Sequence, residues 1–360
     1  MQAAVRDPAA ALRPHVEQVL REFLDRQRDV LGQVSPDLLP LVDAAADLIA
    51  GGKRLRPAFC YWGWRGTGAA ESRPILAAAS CLELFQAAAL IHDDLMDGSD
   101  TRRGMPSVHR RFAETHSAQG WQGDSTRFGS AAALLLGDLF LGWSDELLRA
   151  SGLPDEALGR GRPVFERMRT ELMGGQYLDV LEQATGRIRP AGQTDRALRV
   201  IRYKSAKYSV EHPLLLGGSL AGATPGLLAS YSEYGLALGE AFQLRDDVLG
   251  VFGDPAHTGK PAADDLREGK RTVLVAYALE RASPSQAATL DRHLGDHGLD
   301  GAGVEALRGV IADTGALDRV ERLIADLVAR SAAALESAEV SGEARDAFAA
   351  LIGAATDRSV

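Results

Sequence analysis

The chain has 360 residues, 46% of them hydrophobic, and a formal net charge of −9 at pH 7. This length allows one large domain or two, and an acidic chain without a run of lysine or arginine lacks the basic patch of a nucleic-acid-binding protein. The alternating Val, Ile and Thr pattern of strands is almost absent and alanine-rich windows recur, so the composition predicts an all-α protein.

The sequence gives no sign of export or of membrane insertion. No stretch of about 18 uninterrupted apolar residues occurs, and Arg6, Asp7 and Arg13 stand where a secretion signal needs an apolar core. We therefore expect a cytoplasmic protein without a transmembrane segment. Cys60 and Cys81 have apolar or aromatic neighbours and fit neither a disulfide framework nor a metal site, which predicts buried thiols.

Helical periodicity begins near the N-terminus. Apolar residues at helical spacing predict a helix hairpin over 14–50, which Gly51 and Gly52 end. The segment 75–97 has almost no polar face, so we predict a long buried helix at the centre of the fold. The polar, glycine-containing segment 117–129 is predicted to be an exposed loop or surface insertion.

The pattern remains helical in the second half of the chain. Helices are predicted over 130–148, 163–182, 195–219 and 227–251. The segment 253–270 contains prolines and glycines that exclude one continuous helix, so we predict a long loop there, of the kind that covers a site. Residues 272–359 alternate helical pattern with short turns and hold no catalytic constellation.

Carboxylates cluster near the ends of two predicted helices. Asp93, Asp94 and Asp97 end the first, and Asp246 and Asp247 lie close to the end of the second. On a helix, Asp93 and Asp97 are one turn apart on one face, with roughly 5–6 Å between Cβ atoms. A divalent cation would relieve their repulsion, and Mg²⁺ is usually held by one or two carboxylates together with phosphate oxygens. A single DDxxD pattern is equally compatible with a solvated helix end.

Further motifs surround these carboxylates, in a fixed order over about residues 50–272. They are Gly51-Gly52-Lys53-Arg54-Leu55-Arg56-Pro57, the first acidic cluster with Thr101-Arg102-Arg103-Gly104, Gly175-Gln176-Tyr177-Leu178-Asp179, Lys204, Phe242-Gln243 with the second acidic pair, and Gly259-Lys260. In this order the set resembles the trans-isoprenyl diphosphate synthase family. The resemblance implies a single domain over residues 1–360, an all-α bundle of the isoprenoid synthase type with a central cavity, and a homodimer.

The resemblance also implies a reaction and its metal. Family members ionise an allylic diphosphate, attack the cation with the double bond of isopentenyl diphosphate, and lose a proton. Asp93, Asp97 and Asp246 would ligate Mg²⁺, three ions per active site, with Asp94 and Asp247 in support. The cations implied to contact the allylic diphosphate are Arg102, Lys204 and Lys260. His92 lies beside the acids and is predicted to orient them.

A second diphosphate stays attached to its hydrocarbon and needs cations of its own. By resemblance these are Lys53, Arg56 and Arg103, and arginine suits the role because its planar fork binds phosphate oxygens bidentately. Gln86 stands where the family carries His or Gln as a further ligand, although a hydrogen bond to backbone is an alternative. The remaining candidates are Asp179 for substrate binding and Ser205, Phe242 and Gln243 around the reacting carbon.

The sequence departs from the family pattern at a few positions. Gly250 replaces the last aspartate of the second DDxxD, Ser205 replaces a threonine, and Ala263 stands where glycine is common. All the cations assigned to diphosphate are retained, so we expect an active enzyme, with weakened metal affinity left open. A non-catalytic partner subunit is the alternative that Gly250 favours. A terpene cyclase would lack the sites for a second diphosphate.

Small and large residues upstream of Asp93 bear on product length. In relatives an aromatic residue at position 88 or 89 limits products to fifteen carbons, and here Ala88 and Ala89 are small. Phe85 lies eight residues before Asp93, about 12 Å along a helix. We expect Phe85 to close the tunnel one isoprene unit deeper, which predicts geranylgeranyl diphosphate. The alternative for Phe85 is that it packs aside in the core, and a longer-chain polyprenyl or a farnesyl diphosphate synthase is the alternative function.

Overall fold

The computed structural model describes residues 7–186, 188–189, 191–253, 264–296 and 298–356. These residues are almost entirely helical, and their one sheet is the antiparallel pair β1 (Thr101–Arg102) and β2 (Met105–Pro106). The all-α prediction is therefore confirmed.

The helices before residue 186 follow the predicted order. They are α1 (Pro8–Val34), a 3₁₀ turn (Pro36–Leu38), α2 (Leu39–Ile49), α3 (Leu55–Gly66), α4 (Arg73–Asp97), α5 (Val108–Ala118), α6 (Ser125–Arg149) and α7 (Asp155–Thr185). The predicted loop over 117–129 is wrong in extent, since only six residues separate α5 from α6. The Asp124 side chain caps α6 by accepting a hydrogen bond from the Arg127 N–H at 2.9 Å.

The later helices include one irregular segment. The elements are α8 (Gln193–Val200), a π-helix (Ile201–Glu211), α9 (His212–Ala221), α10 (Pro225–Phe252), α11 (Asp264–Arg267), α12 (Val273–Arg281), α13 (Pro284–His293), α14 (Gly301–Asp313), α15 (Ala316–Ser337) and α16 (Gly342–Thr356). The predicted helix over 195–219 is thus three segments, and its middle carries the candidate residues Lys204 and Ser205 on a π-helix.

The described residues divide into two compact units. The first draws on Met1–Val164, Pro213–Leu228 and Glu339–Leu351, and the second on Phe165–His212, Ala229–Ala338 and Ile352–Val360. The first acidic cluster belongs to the first unit and the second acidic pair to the second unit.

Helix α4 is the central buried helix of the first unit. Its residues Leu82, Leu84 and Ile91 are buried, as the sequence predicts. Within the described residues α4 is the one helix long and apolar enough to cross a membrane, and 78% of its apolar window is covered by the rest of the structure. Such burial is what a core helix needs. Cys60 and Cys81 are free and buried, which confirms the prediction for both thiols.

The core of the second unit gathers around α10. Leu244 and Val248 of α10 are fully buried in one apolar cluster with residues of α12, α14 and α15. These apolar residues fix one face of α10. Asp246 and Gln243 remain partly exposed between the core positions.

Candidate active site

The first acidic cluster occupies the last turn of α4. The helix stops at Asp97 because Gly98 adopts a left-handed conformation with φ 69°, and the N–H groups of Gly98 and Ser99 bond back to the Asp94 carbonyl. Asp93 and Asp97 are partly exposed, whereas Asp94 is only 2% exposed. The three carboxylates therefore have different surroundings.

Asp94 is held by an arginine from the following hairpin. Nε of Arg102 donates to Asp94 Oδ1 at 2.9 Å, and Nη2 of Arg102 donates to the same oxygen. The same Nη2 lies 3.5 Å from Asp93 Oδ2. Arg102 thus fixes Asp94 inward while remaining beside Asp93, where it could also contact an anion.

The hairpin sends two neighbouring arginines in different directions. Arg103 and Gly104 have φ values of 53° and 76°, as the two central residues of a type I′ turn do. Arg102 points to Asp94, whereas Nη1 of Arg103 lies 3.4 Å from the Leu48 carbonyl oxygen, and the guanidinium lies beside Gly52. The first unit therefore places one arginine at the carboxylates and the next at the glycine loop.

The candidate residues upstream on α4 lie in the core or at its edge. Phe85 is 1% exposed and Ala88 is fully buried, whereas Gln86 and Ala89 are partly exposed. The ring of His92 lies against α6. Its Nε2 lies 3.3 Å from the Leu134 carbonyl oxygen and 3.8 Å from Asp138, both on α6, because Gly137 leaves room for the ring.

In the second unit, the π-helix presents Lys204 to α7. The Lys204 Nζ lies 2.6 Å from Asp179 Oδ2. Gly175 permits the close approach, since a Cβ at position 175 would collide with backbone atoms of Tyr203 and Lys204. The glycine and the aspartate of the Gly175–Asp179 motif thus have separate tasks, one steric and one electrostatic. Ser205 follows on the same helix and is partly exposed.

The second acidic pair lies on α10. Gln243 Nε2 donates to Asp247 Oδ1 at 2.8 Å, one turn along the helix. Burial, with the neighbouring Asp265 and Asp246 carboxylates, raises the pKa of Asp247 from 3.8 to about 8. Asp246 and Phe242 are partly exposed. Such crowding of acids is relieved when a divalent cation is bound, so this donor set fits a hard metal ion.

Gly250 leaves a space that another aspartate fills. A Cβ built on Gly250 would collide with Oδ2 of Asp265 from α11. Lys270 Nζ lies 3.7 Å from Asp265 Oδ1. Neither Asp265 nor Lys270 belongs to a motif that the sequence singles out. The one sequence signal for them is the run of acidic and basic residues over 264–270.

Some candidates lie outside these two groups. Lys260 and Ala263 fall outside the described residues. Lys53 is exposed and Arg56 partly exposed at the start of α3. Among the residues that the structure describes, no three His, Cys, Asp or Glu side chains converge as a metal site. Mg²⁺ ordinarily relies on substrate phosphates and water for most of its ligands, so the one or two carboxylates that either cluster offers by itself are compatible with it.

Comparisons with known proteins agree with this chemistry. Residues 40–309 match the family model described as polyprenyl synthetase. A geranylfarnesyl diphosphate synthase of Aeropyrum pernix is 34% identical over 294 residues, which are 80% of this chain and 84% of that protein. A geranylgeranyl diphosphate synthase of Mycobacterium tuberculosis is 32% identical over 276 residues, 75% of this chain and 71% of that protein.

A solved structure extends the similarity to nearly the whole chain. The geranylgeranyl pyrophosphate synthase of Corynebacterium glutamicum, complexed with isoprenyl diphosphate and magnesium, is 39% identical with a TM-score of 0.92. The match covers 97% of this chain and 99% of that one. The all-α fold, the ordered motifs and these similarities lead to one conclusion: the chain belongs to the polyprenyl synthetase family and is a trans-prenyltransferase.

Proposed function

We propose that this enzyme condenses isopentenyl diphosphate with an allylic diphosphate in a Mg²⁺-dependent reaction that yields geranylgeranyl diphosphate. The observation that carries the proposal is the division of Arg102 and Arg103 between the acidic end of α4 and the glycine loop. Two diphosphates need two separate sets of cations. A hairpin that sends adjacent arginines to different places supports that requirement.

The proposed roles of the charged residues rest on the resemblance to the family. Mg²⁺, held by Asp93, Asp97 and Asp246, would act as a Lewis acid on the departing diphosphate. Arg102 and Lys204 would stabilise the growing negative charge of the leaving group, Lys204 being oriented by Asp179. We place Lys260 at the same diphosphate by resemblance. The number of three ions per site also comes from the resemblance.

The second substrate would be held at the glycine loop. Lys53, Arg56 and Arg103 would bind isopentenyl diphosphate, with Gln86 as a further ligand. Ser205, Phe242 and Gln243 would surround the allylic carbon, and the Gln243 amide is oriented by its hydrogen bond to Asp247. By resemblance, the released diphosphate accepts the last proton.

The test of this function is turnover by the isolated chain. Purified protein is incubated with isopentenyl diphosphate and each of dimethylallyl, geranyl and farnesyl diphosphates, with and without Mg²⁺, and products are read by mass spectrometry. A metal-dependent twenty-carbon product supports the proposal. Longer products would support the proposed reaction but would mean that chain length is limited elsewhere than at Phe85. Failure of every starter would favour the partner-subunit alternative.

Product length is proposed to depend on Phe85. This side chain is 1% exposed on α4, and Ala88 lies between it and the acidic cluster. We expect Phe85→Ala to lengthen the product, because a smaller floor leaves room for a further isoprene unit. Phe23→Ala is the matched control, since Phe23 is equally buried but lies on α1. An unchanged product spectrum from Phe85→Ala would show that the limit lies elsewhere.

The proposed assembly is a homodimer. Helix α6 exposes an apolar face that includes Phe128, Leu134 and Leu135, and the last two are 50% and 59% exposed. Large exposed apolar patches commonly mark interfaces. The proposed partner of this face is a second copy of the chain, and the cytoplasmic location remains a prediction of the sequence.

A further inference from the structure

A buried ion pair lies beneath the glycine loop of the first unit. Nη1 of Arg54 lies 2.5 Å from Glu83 Oε2, and the two side chains are 2% and 8% exposed. Glu83 is on α4, three residues before Gln86 and therefore on nearly the same face. A buried carboxylate and a buried guanidinium are costly to desolvate, so stability alone is weak grounds for placing this pair in the core.

Arg54 also closes the loop that carries Lys53. Its Nη2 donates to the Ile49 carbonyl oxygen at 2.6 Å, at the end of α2. Gly51, Gly52 and Arg54 all have positive φ, with 55° at Arg54. A non-glycine residue keeps this conformation only where surrounding contacts enforce it. The two contacts of the Arg54 guanidinium, with Glu83 and with the Ile49 carbonyl, hold this residue directly before the start of α3.

Glu83 supplies negative charge where several guanidinium groups approach one another. Burial lowers the pKa of Arg103, the positive charges of Arg54, Arg102 and Arg56 lower it further, and the Glu83 carboxylate opposes the shift. Without Glu83, Arg54 would be a buried cation that repels its neighbours before any anion arrives.

We propose that Arg54 and Glu83 are positioning residues for the isopentenyl diphosphate site, and that neither touches the substrate. Arg54 ties the loop to α2 and α4, which sets the positions of Lys53 and Arg56. Glu83 balances Arg54 and lets Arg103 lie beside Gly52. The inference rests on the proposed function of this loop and assigns to the ion pair the geometry of that one subsite.

The test separates the two substrates. Glu83→Gln retains size and hydrogen bonding but removes the charge. The KM for isopentenyl diphosphate should rise at least about tenfold, the scale on which supporting residues act through the groups they orient. The KM for the allylic diphosphate should change by less than about twofold, because Arg102 is held by Asp94 on the other side of the hairpin.

A second variant separates positioning from stability. In Arg54→Met with Glu83→Leu, apolar groups replace the whole pair, so that neither charge is left buried without its partner. We expect cooperative thermal unfolding at a somewhat lower melting temperature, because the positive φ at position 54 loses its contacts, together with a raised KM for isopentenyl diphosphate. Glu182→Gln is the control, since Glu182 is equally buried and lies 2.6 Å from Arg196 in the second unit. It should leave that KM unchanged.

The outcomes distinguish this inference from the proposed function. Absence of product from the wild-type chain would overturn the proposed function. Wild-type turnover with an unchanged isopentenyl diphosphate KM in both variants would overturn the positioning role alone. Equal increases for the two substrates, or failure of both variants to unfold cooperatively, would show that the pair is purely structural.

Discussion

Which side chain fits at position 250 depends on Asp265, its neighbour in space. The family pattern favours an aspartate at this position, yet a Cβ on Gly250 would collide with the carboxylate of Asp265. We expect Gly250→Asp to push the Asp265 side chain aside and to add a like charge beside it, which should lower the free energy of unfolding by about 1 kcal/mol, the repulsion of two charges about 4 Å apart in water, and should lower turnover by crowding the carboxylates around Asp247. Urea denaturation and the condensation assay measure these two effects.

The control for this substitution lies on the same helix. A Cβ at Gly226 of α10 meets nothing within 4 Å, so Gly226→Asp should leave stability nearly unchanged. A Gly250→Asp variant as stable and active as the wild type would mean that the side chains accommodate both carboxylates. The residue pattern alone could not reveal this, because 15 positions separate Gly250 from the side chain that fills its space.

At the scale of elements, the π-helix is the segment on which the position of Lys204 depends. A Cβ at Gly175 of α7 would collide with the backbone of residues 203 and 204. We expect Gly175→Ala to displace the π-helix, to weaken the ion pair between Lys204 and Asp179, and to destabilise the fold by about 1–3 kcal/mol. Thermal unfolding and the KM for the allylic diphosphate test the prediction.

The adjacent residue provides the comparison. A Cβ at Gly174 meets nothing within 4 Å, so Gly174→Ala should leave the KM unchanged and stabilise the helix by up to about 1 kcal/mol. If the two alanine variants behaved alike, close packing at Gly175 would not be what positions Lys204.

The sequence predicted elements where their signal is local. Helix α4 was predicted over 75–97 and runs from Arg73 to Asp97, because its apolar residues and its terminal glycine are both visible in the chain. The start of α6 was missed although Asp124 is an N-cap residue. The π-helix was missed because its residues have the same apolar spacing as an α-helix, and its conformation depends on packing against Gly175 and Gly239.

For the candidate residues, too, the sequence predicts what is encoded locally and misses what depends on packing. Motif order predicts Asp93, Arg102 and Lys204 as site residues, together with Asp94 and Asp179, because their types and spacing are family features. It does not indicate Glu83 or Asp265. Glu83 is a charged residue in an otherwise apolar helix, which is a signal that the sequence carries. Asp265 has no such signal, because it contacts a residue 15 positions away. Residue types can be read along a chain, but pairings such as Lys204 with Asp179, 25 residues apart, require the fold.

At the scale of the whole molecule, we expect a buried histidine to limit acid stability. Burial, helped by the charges of Lys207 and Arg167, lowers the pKa of His212 from 6.5 to about 3. The unfolded chain therefore binds a proton below pH 6.5 that the folded chain does not bind until about pH 3. The free energy of unfolding should fall across this interval, by at most about 1.4 kcal/mol per pH unit from this residue.

Substitution separates this effect from the titration of other groups. Urea denaturation at pH 7, 6 and 5 should show a weaker pH dependence for His212→Gln than for the wild type. His15→Gln is the control, because His15 is exposed on α1. Equal slopes for the wild type and His212→Gln would mean that His212 becomes protonated without unfolding, for example by pairing with Glu171, which lies 3.5 Å from Nε2.

At the same scale, we expect the proposed homodimer to form through the exposed face of α6. Leu135 is 59% exposed between buried positions that pack α6 into its own unit, so a charge at Leu135 should leave the fold intact. If a second copy covers this face, Leu135→Glu buries two unpaired carboxylates across a symmetric interface and should convert dimer to monomer in sedimentation velocity. Val34→Glu, on the exposed end of α1, should leave the dimer unchanged. A Leu135→Glu variant that sediments as a dimer would place the interface on another surface.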